Sequence, residues 1–391
     1  MRGTILGIHA KSGNDVLAGE TSDIACELAA RGYKTECLNL LNPDARARFG
    51  DYMNSDEVLF AFGVQGVGSD LKTTADRTIW SVMRVPFIGL HHDHPCHNPL
   101  NHVNASAYVG NLYHFKSFYE VKERYLPSPQ FSAYTPYGFF GPPLTPPINS
   151  FRERPIRLLY LKTGVAPEPL WNGLDQLPGF VRDALIDQIG RAEKDPNLEL
   201  SDLVDEIFTA TKIDKRSNRA QFWLLVRQMD TYLRAARAAR FMEWLKKQEG
   251  AVIVGDGWDF VDKTGARAIF KPAVNIVEGN GLYREAQFIC NTNPYARDLV
   301  HERTIIGLAM GCRVISDTNA WTDEHLADVA ALTLFRWDRP LADQLDAAIA
   351  APADLPEGER ERVIERLTVP EIDTILSFAE QVRAFAAMKE A

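Results

Sequence analysis

Residues 290–317, CNTNPYARDLVHERTIIGLAMGCRVISD, contain the pattern that decides the fold. A short apolar strand (286–290) leads into a polar turn, then a helix begins at His301 and ends at Gly311, before a second strand that reaches Asp317. This order predicts a parallel sheet. Ligands bind at the carboxyl ends of such strands, where a helix start favours phosphate through its free N–H groups. The stretch therefore predicts a phosphorylated ligand, and the alternative is an ordinary βαβ unit with a solvated turn.

The chain's length and charge restrict its class. Its 391 residues are enough for two or three domains with a substantial core. A hydrophobic fraction of 46% and a charged fraction of 24% are typical of a soluble globular protein. The formal net charge of -9 argues against general affinity for nucleic acid or anionic membranes. We therefore expect a small or protein-borne substrate.

The cysteines and the N-terminus indicate a cytoplasmic protein. None of the cysteines shows CxxC spacing, which suits buried thiols in a reducing compartment better than disulfides. The N-terminus lacks a long apolar signal region, and no apolar run approaches the length of a membrane span. The five cysteines are Cys26, Cys37, Cys96, Cys290 and Cys312.

Residues 1–140 alternate short apolar strands with helices, which predicts a Rossmann-like domain. The loop from Ser12 to Asp15 and a tight glycine turn at 63–68 follow two of these strands, on the edge where ligands bind. The predicted strands are 4–8, 35–41, 57–62, 86–90, 105–110 and 131–139, and the predicted helices are 20–31, 71–83 and 114–124.

A second Rossmann-like domain is predicted over residues 156–391. The proline-dense segment 141–155 precedes it and predicts a linker, because proline stiffens the chain and excludes regular structure. A helical insertion over about 165–249 interrupts the domain after its first strand, and its long amphipathic helix, 217–248, is expected to face the core. The predicted strands are 156–161, 251–254, 266–270, 283–290, 313–317 and 330–335.

Several motifs of the second half resemble those of the CgeB-like bacterial glycosyltransferases. The resemblance covers roughly residues 250–320, with further support in the first half from Asp93-His-Pro95 and Pro136-Tyr-Gly138. The motifs that carry it are Gly255-Asp-Gly-Trp258, Tyr283-Arg-Glu-Ala-Gln-Phe-Ile-Cys-Asn291, His301-Glu-Arg303 and Ala309-Met-Gly-Cys-Arg-Val-Ile-Ser-Asp317. It implies the GT-B fold, in which two Rossmann-like domains face each other across a cleft.

The resemblance also implies where a nucleotide-sugar donor binds. The donor would lie mainly on the C-terminal domain, with the acceptor entering from the N-terminal domain, and neither an essential metal nor a cofactor is expected. Related retaining enzymes place a second glutamate where this chain has Ile306, so retention or inversion of the anomeric configuration stays open. The implied donor-binding residues are Gly255, Gly257, Trp258, Asn291, Asn293, His301, Glu302, Arg303 and Thr304.

Arg303 is also a candidate phosphate ligand on physical grounds, apart from the resemblance. Sugar transfer leaves negative charge on the departing pyrophosphate, which a fixed guanidinium and helix N–H groups stabilise as it develops. The alternative is an arginine in a surface ion pair. Lys162 and Lys271, each close to the end of a predicted strand, are further candidates for phosphate contact, although lone lysines are usually solvated.

The first half concentrates histidines in His91-His-Asp-His-Pro-Cys-His97, directly after a predicted strand. One interpretation makes Asp93, His92 or His94 the general base that deprotonates the acceptor hydroxyl, because an imidazole or carboxylate suits proton transfer near neutral pH. In a second interpretation these residues form structural hydrogen bonds, and in a third they bind a transition metal.

Three functions are consistent with these patterns. The first is a cytoplasmic glycosyltransferase that moves a sugar from a nucleotide donor to a hydroxyl of a glycan, protein or small molecule. The second is a catalytically silent scaffold of the same fold that binds a glycan or protein through the insertion. The third is a metal hydrolase built on the histidine cluster.

Overall fold

The computed structural model describes most of the chain, namely residues 3–10, 16–138, 149–350 and 358–390. The chain divides into two compact units, the first comprising residues 1–142 and 369–391 and the second residues 143–368. The predicted loop from Ser12 to Asp15 and the proline-rich run 141–147 lie outside the described residues. Within the described part, no helix is both long enough and apolar enough to cross a membrane.

The first unit contains a six-stranded parallel sheet with the order β2-β1-β3-β4-β5-β6. The central strands are continuous apolar runs because helices cover both faces of such sheets. Its strands are β1 (Thr4–His9), β2 (Lys34–Asn39), β3 (Val58–Val64), β4 (Phe87–His91), β5 (Val109–Tyr113) and β6 (Ser132–Tyr134). Its first helices are α1 (Val16–Ala30), α2 (Pro43–Met53), α3 (Ile79–Met83) and α4 (Lys116–Tyr125).

The second unit contains a parallel sheet of six strands with the order β12-β11-β10-β7-β8-β9. The chain builds this sheet from β7 outward to one side and then returns to build the other side. Its strands are β7 (Ile156–Leu161), β8 (Ala251–Val254), β9 (Ile269–Lys271), β10 (Ala286–Cys290), β11 (Arg313–Asp317) and β12 (Leu332–Phe335). The order therefore reverses between β7 and β10, which makes their carboxyl ends the topological switch point.

Nine helices of the second unit lie within the described residues. Four of them, α5 to α8, form the insertion between β7 and β8, and α8 confirms the long helix predicted at 217–248. Its buried apolar residues face the core as expected. The helices are α5 (Pro167–Gly173), α6 (Gly179–Lys194), α7 (Leu200–Ala210), α8 (Arg219–Leu245), α9 (Ile276–Glu285), α10 (Glu302–Ala309), α11 (Ala320–His325), α12 (Leu341–Ala350) and α13 (Glu359–Leu367).

The last helix, α14 (Glu371–Glu390), belongs to the first unit, whereas the sequence-based division kept all of 156–391 in the second domain. Ile375 and Phe378 of α14 share a core with the first sheet. Gly110 in β5 permits this close approach, since a Cβ there would lie 2.4 Å from Val382. Apolar burial on the first sheet therefore assigns α14 to that unit.

Local polar chemistry shifts two elements from their predicted bounds. The helix predicted at 71–83 is confined to α3, because Asp76 adopts a positive φ of 57° and the side chain of Thr78 accepts the N–H of Ser81 as a helix cap. The strand predicted at 105–110 begins only at Val109. The side chain of Asn104 accepts the N–H of Ser106 in a turn, which competes with strand pairing.

Candidate functional site

Polar side chains gather at the switch point of the second sheet. Lys162 follows β7, Asn291 to Asn293 follow β10, and Asp317 ends β11. Because the strands are parallel and adjacent, their carboxyl ends meet at one edge. The start of α10 follows the loop after β10 and brings His301 to Thr304 to the same group of residues.

The first turn of α10 is capped by a neutral histidine. His301 is the N-cap, and its Nδ1 accepts the backbone N–H of Arg303 at 3.2 Å. An accepting Nδ1 leaves the ring proton on Nε2. Burial lowers the pKa of His301 well below its ordinary value, and repulsion from Arg303 and Lys162 lowers it further. His301 is therefore a neutral N–H donor at neutral pH.

The guanidinium of Arg303 is held by the loop after β10. Its Nε donates to Oδ1 of Asn291 at 2.9 Å, and its Nη2 lies 3.5 Å from the carbonyl oxygen of Thr292. The side chain is half-buried. The group is fixed before any ligand arrives, as stabilisation of developing charge requires.

Asn291 and Asn293 are buried and satisfied by the protein itself. The amide nitrogen of Asn291 donates to Oδ1 of Asn293 at 2.8 Å and to the hydroxyl of Ser316 at 2.9 Å. The backbone N–H of Asn293 donates to Oδ1 of Asp317 at 2.7 Å. Thr304 is also buried, 3.4 Å from the amide of Asn291. These side chains therefore support the loop that positions Arg303.

Asp317 fixes the other end of this network. Its Oδ2 accepts the indole N–H of Trp337 at 2.8 Å. Burial raises the pKa of Asp317, although Arg237 and the backbone N–H of Asn293 act in the opposite direction. The carboxyl group thus connects β11 to the loop after β10 and, through Trp337, to the segment after β12.

Lys162 is the second cation of the site. Its Nζ donates to Oγ1 of Thr292 at 2.8 Å and to the carbonyl of Thr292 at 3.1 Å. Burial lowers the pKa of Lys162 well below its ordinary value, and repulsion from Arg303 and Arg234 lowers it further. An anion beside these groups would relieve that repulsion and favour the charged form.

Gly255 and Gly257 allow close packing of the loop that carries Lys162. A Cβ on Gly255 would lie 2.2 Å from the carbonyl oxygen of Lys162, and one on Gly257 would lie 2.2 Å from that of Gly164. Both glycines have positive φ, at 146° and 80°. Trp258 is buried, and its indole N–H donates to the carbonyl of Lys162 at 2.8 Å. This motif holds the β7 loop in place.

The two remaining predicted ligand contacts, Glu302 and Lys271, differ in their distance from this group. Glu302 is half-buried at the first position of α10. Lys271 ends β9 and is exposed, two strands away from the switch point. The donor-binding role of Glu302 stays a prediction, and the position of Lys271 does not support a role in the phosphate site.

In the first unit, two histidines belong to the core: His91, within the cluster, and His102, which follows it in sequence. His91 is buried, and its Nε2 donates to Oδ1 of Asn111 at 3.0 Å. His102 is buried against Tyr113, with Nδ1 2.7 Å from the phenol oxygen. Burial lowers the pKa of His91 to about 4, which keeps its ring neutral.

His94 and Asp93 occupy different environments. His94 is buried, its Nδ1 accepts the backbone N–H of Cys96 at 3.1 Å, and its ring meets Phe118 edge-on at 5.2 Å. Asp93 is half-buried, and its N–H lies 3.4 Å from Oε1 of Gln65. The geometry of His94 is that of a loop-stabilising residue.

His92 has a carboxylate partner. Its Nε2 lies 2.8 Å from Oε1 of Glu20 in α1, and its ring stacks on that of His114 at 4.1 Å. On the far side, Nε2 of His114 lies 3.2 Å from Oε1 of Glu371. Burial alone would lower the pKa of His92, but Glu20, Glu371 and Asp93 outweigh it and raise the pKa.

Comparison with known proteins defines the fold. No protein-family model and no curated protein sequence matches this chain. The chain is similar to sucrose-phosphate synthase from Thermosynechococcus elongatus, at 12% identity with a TM-score of 0.55 over 99% of this chain and 100% of that one. It is also similar to HepE from Anabaena, solved with UDP and glucose, at 12% identity with a TM-score of 0.50 over 96% and 99%. The chain has the GT-B fold.

Within this GT-B fold, the donor residues predicted from sequence separate into two groups. His301, Glu302 and Arg303 are half-buried at the helix start, and the asparagines and Thr304 are buried behind them. The glycines and Trp258 instead pack on the loop that carries Lys162. Thr292 contacts both cations and lies between two of the predicted asparagines, but it was not itself predicted. Glu20 was not predicted either, because no local pattern connects it to His92.

Proposed function

We propose that this chain is a glycosyltransferase that moves a sugar from a nucleotide-sugar donor to a hydroxyl acceptor. The observation that carries the proposal is the pair of fixed cations, Lys162 and Arg303, at the switch point of the second sheet. In α/β folds this edge is where nucleotides bind. The GT-B fold and the resemblance to CgeB-like glycosyltransferases support the same function.

The arrangement suits a diphosphate leaving group. As the bond from sugar to phosphate breaks, negative charge develops on the diphosphate, and the guanidinium of Arg303 and the ammonium of Lys162 stabilise it. The Nε2–H of His301 adds a neutral donor. UDP is the first nucleotide to test, because HepE was solved with UDP and glucose.

On the acceptor side, His92 is the base that the geometry supports best among the three predicted candidates. A carboxylate beside one ring nitrogen, as Glu20 lies beside Nε2 of His92, orients an imidazole and strengthens it as a base. His94 is buried in structural contacts. The acceptor hydroxyl belongs to a glycan, a protein or a small molecule, and no metal is required.

The second candidate is a catalytically silent scaffold of the same fold. Ile306 favours it, because related retaining enzymes have a glutamate at that position. Ile306 is a half-buried residue of α10 and supplies no charge. A silent scaffold still binds nucleotide but releases no nucleoside diphosphate.

Titration calorimetry and a hydrolysis assay test the proposal together. The purified protein is titrated with a panel of nucleoside diphosphates and nucleotide sugars, starting with UDP and UDP-glucose, and release of free nucleoside diphosphate is then followed without acceptor. We expect saturable binding of at least one donor and its slow hydrolysis. Binding without any hydrolysis or transfer would favour the scaffold, and absence of binding across the panel would contradict the proposal. Full activity of metal-free protein would exclude the metal hydrolase.

A further inference from the structure

The helical insertion is fastened to the loops that form the phosphate site. The hydroxyl of Tyr295, in the loop after β10, donates to the carbonyl of Asp195 at the end of α6, at 2.8 Å. The backbone N–H of Ala320, after β11, donates to Oδ1 of Asn197 at 2.9 Å. The insertion thus contacts the loops after two strands of the second sheet.

Helix α8 crosses the same edge and is held there by aromatic contacts. The guanidinium of Arg237 lies 4.9 Å from the ring centre of Tyr295 and 5.6 Å from that of Trp337. One turn further along, the ring of Phe241 packs on Tyr160 of β7 with centroids 5.3 Å apart. The part of α8 before Arg237 is therefore directed toward the carboxyl end of β7.

Arg234 lies on this part of α8, on the same face as Phe241. Seven residues are close to two helical turns, a rise of about 10 Å. Lys162 follows Tyr160 by two residues in the same direction, a rise of about 7 Å along the strand. The Nε of Arg234 is paired with Oδ2 of the fully buried Asp230 at 2.8 Å. The helix therefore brings a partly buried, oriented guanidinium toward Lys162.

The electrostatics of the site agree with this placement. Burial is the main cause of the low pKa of Lys162 and His301, and in both groups Arg234 adds to the repulsion from neighbouring cations. Arg234, Lys162 and Arg303 thus form a three-cation group at one edge of the sheet, whose repulsion at Lys162 is partly offset by Asp317 and Asp230. A monophosphate neutralises less of such a group than a diphosphate does.

We propose that the insertion supplies Arg234 as a third cation of the phosphate site and thereby makes the site selective for a diphosphate over a monophosphate. The inference rests on the proposed function for the identity of the site. It adds that a cation from the insertion contacts the diphosphate of such a donor. It also gives the insertion a binding role within its own domain.

The test compares three anions on matched variants. Wild-type protein, Arg234→Gln and Arg227→Gln are titrated with UDP, UMP and inorganic pyrophosphate at one fixed low salt concentration. Arg227 is exposed on the same helix and serves as the control. We expect Arg234→Gln to weaken the affinity for UDP and pyrophosphate by about tenfold to hundredfold, because a charge-assisted contact is lost. The affinity for UMP should fall by no more than about threefold. Arg227→Gln should leave all three affinities unchanged.

Arg234→Gln also leaves Asp230 without its cation, so two further variants separate binding from folding. Asp230→Asn combined with Arg234→Gln removes both charges, and Arg234→Lys keeps the positive charge. The double variant should lose the preference for diphosphate, and the lysine variant should retain most of it. Circular dichroism of each variant checks that the fold is intact.

The outcomes distinguish this inference from the proposed function. A folded Arg234→Gln or double variant that keeps the wild-type ratio of UDP to UMP affinity overturns the inference, while the donor site of Lys162 and Arg303 still stands. Wild-type protein that binds pyrophosphate through Arg234 but binds no nucleotide supports the third cation and contradicts the proposed function.

Discussion

The carboxyl edges of the two sheets place charged groups in contrasting ways. In the first unit, each of two stacked imidazoles has its own carboxyl group, with His92 beside Glu20 and His114 beside Glu371. In the second unit, Lys162 lies close enough to Arg303 for repulsion to lower its pKa, and it donates only to oxygens of Thr292 among its described hydrogen bonds.

The difference separates a self-compensated cluster from a ligand site. A buried charge is costly unless it is paired, and a cluster whose charges are paired needs no counter-ion from outside the protein. Cations held close together against their mutual repulsion are stabilised by an anion that binds between them. The histidine cluster was the more conspicuous feature of the sequence, yet the lysine and arginine edge is where the structure favours an anionic ligand.

The largest expected effect on donor binding at the cationic edge of the second sheet comes from removing Arg303. Arg303→Ala should weaken UDP binding by about a hundredfold and slow donor hydrolysis by at least as much, because a preorganised charge contact contributes on the order of 3 kcal/mol. Titration calorimetry and a hydrolysis assay measure the two losses. Arg284→Ala is the matched control, since Arg284 is exposed at the end of α9. Unchanged UDP affinity in folded Arg303→Ala would remove this residue from the site.

Lys162 should contribute to UDP binding through its charge and should also couple that binding to the uptake of a proton. Its pKa is lowered by burial and by neighbouring cations, so binding of an anion should raise that pKa and take up protons over the pH range in which Lys162 titrates. Calorimetry of UDP binding in two buffers with different ionisation enthalpies measures this uptake. We expect a positive uptake in wild-type protein and a tenfold to hundredfold weaker, roughly proton-neutral binding in Lys162→Met.

Lys162→Arg controls for charge alone. Arginine stays protonated at all working pH values, so this variant should bind without proton uptake even where it retains affinity. Equal uptake in wild-type protein and Lys162→Arg would assign the proton to another group, such as His301.

The backbone pattern of the second unit could be predicted because its signals are local. The strands 156–161 and 251–254 are confirmed at their predicted bounds, and the predicted helix start is confirmed with His301 as the N-cap of α10. Each rests on apolar runs, a capping residue or a glycine stop within a few positions. The GT-B fold implied by the resemblance is confirmed as well.

The partners of the site residues could not be predicted, because they come from distant parts of the chain. Nothing in the sequence near His92 points to Glu20 or to Glu371. Gly255 and Gly257 were predicted as donor-binding residues, whereas the space that they leave is filled by the carbonyls of Lys162 and Gly164. Likewise, the apolar face of α14 could pack on either sheet as far as its sequence shows. Only its burial in the folded protein assigns it to the first sheet.

A moderate effect on donor binding should follow from filling the space at Gly257. Gly257→Ala forces a Cβ to 2.2 Å from the carbonyl of Gly164 at a positive φ, so the loop that carries Lys162 must shift. We expect a loss of about 1–3 kcal/mol in the free energy of unfolding and a severalfold weaker affinity for UDP. Denaturant unfolding and UDP titration measure the two effects.

Gly281→Ala is the matched control for this substitution. Gly281 lies within α9, and a Cβ there meets nothing within 4 Å, so alanine should be neutral or stabilising by up to about 1 kcal/mol. If Gly257→Ala binds UDP as tightly as Gly281→Ala does, the glycine motif does not position Lys162.

The smallest expected effect on donor binding belongs to the self-compensated cluster of the first unit. Glu371→Gln should leave UDP affinity unchanged and alter only how stability depends on pH. Burial raises the pKa of Glu371 to about 8, above its ordinary value of 4.5. The folded state therefore holds a proton that the unfolded state releases. Stability from this group is complete below about pH 4.5 and is lost as the pH rises to about 8, by up to about 1.4 kcal/mol per pH unit.

Unfolding of wild-type protein and Glu371→Gln at a series of pH values measures this difference. The glutamine cannot ionise, so the variant should gain stability relative to wild-type protein between pH 5 and pH 8, and the gap should then stay constant. Glu380→Gln, at an exposed position of the same helix, should run parallel to wild-type protein. A constant gap for Glu371→Gln across this range would mean that Glu371 is ionised in the folded protein. The first cluster would then carry an additional buried negative charge, and its contrast with the cationic edge of the second sheet would be one of sign rather than of compensation.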